Sequence, residues 1–257
     1  MIRAAAMLLA ASVLVPASAG AGTSRSPLAL TAAPAHVALA GAARAEVRVT
    51  NPGLRAVVVD VVRAGFSLDL RGRPRVVSRG GARAAASWLT VVPRRFVLRP
   101  GTTRVLTVTS RLPLRVEPGD HDALVLLSTR LRRDGGLAVR MRIGVVVVVR
   151  APGPIVRRLV VRDLRVLRAR GARVLELRVA NRGNVTESLA GGVVRVALRR
   201  GALDLGLRAN GRTIRPRTEG VVQIPCPRFL RGWLTATVRV ASEPGRGAAR
   251  RTFRVRL

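Results

Sequence analysis

Asp120-His121-Asp122 is the one place in the sequence where acidic residues flank a histidine. Such a triplet could relay a proton or contribute ligands to a metal ion. However, Pro118-Gly119 precedes it and an apolar segment follows, which is typical of a turn that leads into a strand. Neighbouring side chains on an extended chain point to opposite faces, so they cannot converge on one ion without a sharp bend. We therefore expect a turn here, and neither a catalytic nor a metal site.

The remaining reactive side chains form no recognisable catalytic motif. The chain has no Lys, which excludes a phosphate-binding loop of the G-x-x-x-x-G-K type, and no G-x-S-x-G motif. Two His and one Cys are too few for a His/Cys zinc site, and His36 has no acidic neighbour. Most of the 13 acidic residues lie beside Arg or in turns, which does not favour paired carboxylates for glycoside cleavage. We predict a protein that is not an enzyme and uses no cofactor.

Two further motifs have both a functional and a structural interpretation. Cys226 lies between two prolines, and a lone thiol in an exported chain could react or form an intermolecular disulfide. Burial as a small apolar side chain is the interpretation that we favour. Asn184-Val185-Thr186 matches a glycosylation acceptor, but its turn context explains the Asn equally well, so we assign it no role.

The N-terminus predicts export. A basic residue is followed by an apolar run over 4–15 and by the small residues Ala17-Ser18-Ala19. This pattern predicts a signal peptide over residues 1–21, because the run is too short to span a membrane. The Val-rich run over 143–149 is also too short, and we interpret it as a central β-strand. We expect an exported chain, extracellular or associated with the cell wall, with no transmembrane span after the signal peptide.

Apolar and polar residues alternate along most of the remaining chain, for example over 46–50 and 253–257. This period of two places apolar side chains on one face of a strand and Arg on the other. Turn motifs such as Asn51-Pro52-Gly53 and Asn210-Gly211 separate the alternating segments. Short strands separated by turns at this spacing predict an all-β fold class with two immunoglobulin-like antiparallel β-sandwiches in tandem.

An internal repeat supports two modules. The segment 46–53 recurs as 176–183, and each copy is a strand that ends in an Asn-x-Gly turn. Ala151-Pro152-Gly153-Pro154 is the expected boundary, because prolines cannot donate ladder hydrogen bonds and they stiffen a linker. We predict a first sandwich over 27–151 and a second over 155–257.

The charge is the feature that most needs a physical account. The chain carries 47 basic residues, all Arg, against 13 acidic ones, and its formal net charge is +34. Arg binds phosphate and carboxylate groups in bidentate fashion, so such a surface attracts polyanions. We do not expect nucleic acid as the partner, because the Arg residues are spread over nearly every strand and aromatic residues are only 2%. Wall polymers are the expected anionic partner outside the cell.

The order of motifs in the first module resembles that of a known family. The residues that carry this resemblance are Trp88-Leu89, Pro93, Phe96, Leu98-Arg99-Pro100-Gly101, Pro118-Gly119-Asp120 and Arg142-Ile143-Gly144. The second module matches through Asn181-Arg182-Gly183-Asn184 and the segment over 228–240. The pattern resembles immunoglobulin-like domains of the pilus-chaperone type, and more closely the peptidoglycan-binding domain of WxL-interacting proteins. The resemblance implies binding to peptidoglycan or to a wall protein.

Three functional hypotheses follow. The leading one is an exported, non-catalytic envelope protein that binds peptidoglycan or anionic wall polymers through Arg-rich sheet faces. The alternative is a chaperone-like or scaffold protein that adds a strand of another surface protein to an open sheet edge. An envelope hydrolase is the third, and it requires Asp120, His121 and distant acidic residues to meet in one cleft. The sequence does not identify the ligand-binding residues.

Overall fold

The computed structural model describes residues 29–77, 84–130, 132–134, 137–169, 172–209, 211–241 and 248–257. The predicted signal peptide over 1–21 lies outside these residues. Within them the chain is all β, apart from a short 3-10 turn at Ala86–Trp88. None of the described helices has the length and hydropathy that a membrane span needs.

The strands fall into two groups along the chain. The first group is β1 (Thr31–Ala33), β2 (His36–Ala40), β3 (Arg44–Thr50), β4 (Val57–Leu68), β5 (Pro74–Val77), β6 (Leu89–Val92), β7 (Arg95–Leu98), β8 (Thr103–Ser110), β9 (Gly119–Thr129), β10 (Arg132–Asp134), β11 (Leu137–Val139) and β12 (Arg142–Ala151). The second group is β13 (Leu159–Ala169), β14 (Ala172–Asn181), β15 (Glu187–Ser188), β16 (Val194–Arg200), β17 (Leu203–Arg208), β18 (Thr213–Ile214), β19 (Glu219–Pro225), β20 (Trp233–Val240) and β21 (Ala249–Arg256).

The first group forms two facing sheets, and the N-terminal segment contributes to both of them. One sheet has the order β1-β3-β8-β6, and the other has the order β2-β12-β9-β4, with β5 and β7 pairing with opposite ends of β4. β1 pairs with β3 in the first sheet, whereas β2 runs parallel to β12 in the second. Strands β10 and β11 form a small separate hairpin between β9 and β12.

The second group forms a smaller sandwich. Its sheets have the orders β13-β14-β19 and β17-β16-β20-β21, and β15 pairs with β18 at one end. Among the described strands, β21 therefore lies at the edge of its sheet and pairs with β20 only.

The alternation along the strands accounts for both cores. In β12, Val145, Val147 and Val149 are buried between the sheets, and the residues between them point to the outer face. The buried apolar residues form two clusters, one within 30–149 and one within 159–257. Because each cluster lies inside one pair of sheets, the predicted fold class of two tandem antiparallel β-sandwiches is confirmed.

The repeated Asn-x-Gly turns have matching hydrogen bonds in the two sandwiches. The Nδ2 of Asn51 donates to the carbonyls of Arg55 and Leu98 at 2.8 and 3.1 Å. The Nδ2 of Asn181 donates in the same way to Val185 and Ile214 at 2.7 and 3.1 Å. Both Asn side chains are fully buried, so each closes a strand end by satisfying carbonyl groups that would otherwise be buried without partners.

Candidate functional site

The outer face of the β2-β12-β9-β4 sheet carries two neighbouring rows of apolar residues. In the first row, Val146 of β12 lies beside Leu124 of β9, which lies beside Ala64 of β4. In the second row, Gly144, Leu126 and Val62 are aligned in the same order, and Val62 is 52% exposed. These rows form an apolar strip across the middle of a sheet face.

Gly144 shapes this strip. A Cβ atom at Gly144 would lie 2.8 Å from Cδ1 of Leu124, so the missing side chain makes room for the Leu124 side chain. A glycine inside a strand often marks such a close approach. The signal in the sequence is a single Gly next to the five consecutive valines.

The strip reaches a strand edge that is partly open. β2 pairs with β12 only over 146–150, so residues 142–145 of β12 have a strand partner, β9, on one side only among the described residues. The amide N–H of Val146 donates to the carbonyl of Ala35 on the β2 side, at 3.0 Å. Alternate residues of a strand direct their backbone groups to the same side, so those of Arg142 and Gly144 point toward the open edge. The predicted central strand is therefore central along half its length and an edge strand along the other half.

Charged residues bound the strip at the end far from the second sandwich. Ser128 lies between Asp60 and Arg142 in the next row. The carboxylate of Asp60 accepts a hydrogen bond from Nε of Arg95 at 2.5 Å and lies 4.0 Å from Nε of Arg130. The apolar strip thus ends at a polar row.

Asp120 and Asp122 bound the strip at the other end, next to the second sandwich. β9 begins at Gly119, so the triplet lies in a strand and not in the predicted turn. All three side chains are buried, those of Asp120 and Asp122 against the second sandwich and that of His121 inside the first. The prediction of a turn was wrong because Pro118-Gly119 ends the preceding loop before the triplet.

The two Asp residues and His121 point to opposite faces, as predicted for an extended segment. His121 faces the core, where its ring lies 4.5 Å from the Trp88 ring, and its Nε2 hydrogen-bonds with the carbonyl of Glu117 at 2.7 Å. The structure therefore does not meet the condition set for the hydrolase hypothesis. Among the described residues, no three His, Cys, Asp or Glu side chains lie close enough to hold a metal ion.

Asp120 connects the two sandwiches. Its Oδ1 accepts a hydrogen bond from Nε of Arg150 at 2.7 Å, and its Oδ2 accepts one from the backbone N–H of Thr186 at 2.7 Å. Burial by itself would raise the pKa of Asp120, but the hydrogen bonds from Arg150 and Thr186 outweigh burial and hold that pKa below its ordinary value.

Asp122 pairs with Arg215, a residue of the second sandwich. Nη1 of Arg215 also donates to the carbonyl of Phe66 at 3.0 Å, and its guanidinium carbon lies 4.3 Å from the centre of the Phe66 ring. Burial raises the pKa of Asp122, and the nearby charge of Arg215 only partly offsets this effect. The side chains of Asp122 and Arg215 are thus both used in the junction between the sandwiches.

Asn184 completes the junction. Its Nδ2 donates to the carbonyls of Pro118 and Pro154 at 3.1 and 2.8 Å, and its Oδ1 accepts from the N–H of Val156 at 2.8 Å. A Cβ atom at Gly119 would lie 2.1 Å from the backbone oxygen of Asn184, so only glycine fits there. The Asn184-Val185-Thr186 motif therefore has a structural role at the junction, and its amide is occupied by backbone contacts.

Cys226 lies away from the strip, and His36 lies away from the junction. Cys226 is buried in the second core, and burial raises the pKa of its thiol, so neither property favours a reactive thiolate. His36 is exposed at the start of β2, beside Val146.

Many Arg side chains bind groups within the chain itself. Arg178 pairs with Glu219 at 2.6 Å and Arg199 with Asp204 at 2.8 Å, in both cases between neighbouring segments of the second sandwich. Nη1 of Arg251 donates to the carbonyl of Arg162 at 2.7 Å. These side chains hold strands together, which differs from the predicted Arg-rich face directed at a wall polymer.

Comparisons with known proteins bear on the fold. No protein-family model and no curated protein matches the chain. A chain from a chaperone–tip adhesin complex of CFA/I fimbriae matches with a TM-score of 0.50 at 10% identity, over 87% of this chain and 98% of that chain. The class 5 fimbriae chaperone CfaA matches with a TM-score of 0.48 at 13% identity, over 89% and 100% of the two chains. A chain from the Salmonella enterica SafA pilin–SafB chaperone complex matches with a TM-score of 0.45 at 12% identity, over 89% and 96%.

These matches correct the predicted family, function and partner. The resemblance to WxL-interacting proteins was wrong, because the match with a TM-score of 0.50 is to a chain of a fimbrial chaperone–tip adhesin complex. Binding to peptidoglycan or a wall polyanion was wrong with it, because that matching complex contains a tip adhesin. The residues behind the resemblance, such as Trp88 and the turn glycines, form cores and turns that many sandwiches need, so they did not identify a partner. The fold of this chain is similar to that of two-sandwich fimbrial chaperones.

Proposed function

We propose that this chain is a non-catalytic, chaperone-like protein that binds a segment of another polypeptide by adding it as a strand to the open edge of β12. The observation that carries this proposal is the stretch over 142–145, which pairs with β9 alone among the described residues and where the backbone groups of Arg142 and Gly144 point away from β9. An extended segment can form ladder hydrogen bonds with such an edge, and alternate side chains can pack against its faces.

The composition of the edge supports the proposal. Natural sheets usually protect their edges with charges, bulges or covering segments. The open stretch of β12 carries one charged residue, Arg142, and continues into a run of five valines over 145–149. An apolar edge of this kind is suited to pairing with another strand.

The junction supports the proposal from the other end of β12. Arg150, near the end of this strand, is bound to Asp120, which in turn accepts from Thr186 of the second sandwich. The strand is therefore fixed at one end by the second sandwich and open at the other. A fixed edge loses little conformational freedom when a partner binds, which favours affinity.

The matching structures support the same function. They include a chaperone in complex with a tip adhesin and another with a pilin, which agrees with a polypeptide partner. We also propose that the chain is exported. The expected extracellular or wall-associated location rested on the net charge and on the family resemblance, and the match to a fimbrial chaperone complex does not support it. The limits 27–151 and 155–257 remain our proposed domain boundaries.

Two substitutions at Arg142 test the proposal. Arg142→Pro removes an N–H from the open edge without removing a hydrogen bond to β9, whereas Arg142→Ala removes the same charge and keeps the N–H. The probe is a fluorescent peptide of about nine residues that alternates Val with Ser. We expect Arg142→Pro to weaken binding about tenfold relative to Arg142→Ala, because one or two ladder hydrogen bonds are lost.

Hydrogen exchange measured by NMR locates the bound peptide. We expect the amides of Arg142 and Gly144 to exchange more slowly when the Val/Ser peptide is bound, while amides at the edge strand β21 stay unchanged. Protection confined to β21, or equal binding by the Pro and Ala variants, would refute strand addition at β12. Thermal unfolding of both variants checks that each remains folded.

A further inference from the structure

We propose that the partner segment alternates apolar with acidic side chains, an inference that rests on the proposed strand addition at β12. The two faces of the open stretch differ in chemistry. Side chains of an added strand point alternately to these two faces, so the partner has to match one apolar and one cationic surface.

The inner face of the open stretch is apolar. Ile143 and Met141 are half-buried there and pack against the first core. Every second side chain of an added strand would lie over this edge of the core. Aliphatic side chains at those positions remove apolar surface from water on both partners.

The outer face of the open stretch is cationic. Arg142 points to this face, and Arg140 is exposed just before the strand begins. Neither guanidinium has a carboxylate within 4 Å in the part of the chain that the structure describes. Asp60, the acid of the neighbouring row, is already paired with Arg95 and lies near Arg130. Acidic side chains on the partner are therefore the complement that the described side chains of this face do not supply.

The formal net charge of +34 works in the same direction but is less specific. It attracts any acidic segment and repels basic ones over about a Debye length. A second copy of the chain is disfavoured at the edge for the same reason. The local contribution of Arg142 is thus the quantity that an experiment has to isolate.

Three peptides of about nine residues separate the partner's chemistry from strand addition itself. They alternate Val with Asp, with Ser or with Lys, and their binding to the full chain is measured by fluorescence anisotropy at low salt. We expect the Asp peptide to bind about fivefold more tightly than the Ser peptide, and the Lys peptide more weakly than both. Equal binding of the Asp, Ser and Lys peptides would overturn the acidic partner while leaving strand addition intact. Failure of all three would refute the proposed function.

Charge reversal at Arg142 isolates the local contribution of this residue to binding an acidic peptide. We expect Arg142→Glu to abolish the preference for the Asp peptide over the Ser peptide. Arg256→Glu, at an exposed position of β21, makes the same change in net charge and is expected to keep that preference. Equal loss in both variants would show that only net charge matters and would overturn the proposal. A dimer of the unmodified chain that Arg142→Pro disperses in sedimentation would assign the edge to a second copy, which would also overturn it.

Discussion

β12 and β21 both alternate buried and outward-facing residues, but the residues on their outer faces differ. Both alternate, and both bury Val residues in their own core, Val147 in β12 and Val255 in β21. On β21 the positions between the core residues are mostly Arg, whereas on β12 Gly144, Val146 and Val148 occupy them. The same backbone pattern therefore yields one Arg-rich edge and one apolar edge, and the residues of the outer face make the difference.

The Arg residues of β21 protect its edge through specific contacts. The guanidinium carbon of Arg254 lies 4.7 Å from the centre of the ring of Trp233, a residue of the neighbouring strand β20. Arg251 reaches the other sheet and donates to the carbonyls of Val161 and Arg162 at 3.3 and 2.7 Å. A partner strand would have to displace these contacts and pair with a strongly cationic edge, which is a common natural defence against edge pairing.

The largest expected effect comes from the junction, which supports β12 and has no counterpart at β21. Asp120→Ala leaves Arg150 without its carboxylate and the Thr186 N–H without its acceptor. We expect the free energy of unfolding to fall by about 2 kcal/mol, a value reduced from that of a fully buried pair because Arg150 is 44% exposed. Urea denaturation measures the loss.

Asp60→Ala is the matched control for the junction substitution, because it removes a carboxylate from a more exposed ion pair on the same sheet. We expect it to cost less than about 1 kcal/mol. Equal losses for the Asp60 and Asp120 variants would contradict the special role given to the junction.

A reciprocal exchange between the two edges should have the next largest effect. Val146→Arg puts a β21-type residue on β12, and Arg254→Val puts a β12-type residue on β21. We expect Val146→Arg to weaken binding of the Val/Ser peptide about tenfold, because an Arg interrupts the apolar row beside Leu124. Fluorescence anisotropy with the same peptide measures both variants.

The second half of the exchange is the more demanding test. If outer-face Arg residues protect β21, Arg254→Val should slow hydrogen exchange at β21 amides when the peptide is added, which the unmodified chain should not show. Peptide binding to Val146→Arg at full strength would mean that the outer-face residues do not decide which edge is receptive.

The smallest expected effect is on pH dependence at the junction. The folded-state pKa of Asp120 is lowered, so its contribution to stability is complete above its ordinary value of 3.8 and is lost as the pH falls through the lower folded-state pKa. The folded-state pKa of Asp122 is raised, so this group gains stability as the pH falls through that raised pKa toward 3.8.

Asn variants separate these two contributions. The stability difference between the unmodified chain and Asp120→Asn should shrink as the pH falls below 3.8. For Asp122→Asn, the difference should change in the opposite direction at somewhat higher pH. Parallel urea titrations across the acid range measure both, and curves of the same sign would contradict the assignment.

The candidate site was only partly predictable from the sequence. The Val-rich run over 143–149 was correctly predicted as a strand, because its length and composition suit a buried strand. Its open half was not predicted, because that depends on the pairing of β2 beginning only at Val146, and β2 lies more than 100 residues earlier in the chain. The opposite orientations of Asp120 and His121 were predicted, but the contact of Asp120 with Thr186 of the second sandwich was not.

The sequence by itself determined the local features of this protein: which segments are strands, which side chains lie on each face of a strand, and where the Asn-x-Gly turns fall. These features depend on residues a few positions apart, so alternation and turn chemistry are sufficient to specify them. Only the tertiary structure decided which strand edge stays open and which acidic residues join the sandwiches. Those outcomes depend on pairings between distant segments, and similar alternating Arg/Val patterns are compatible with many such pairings.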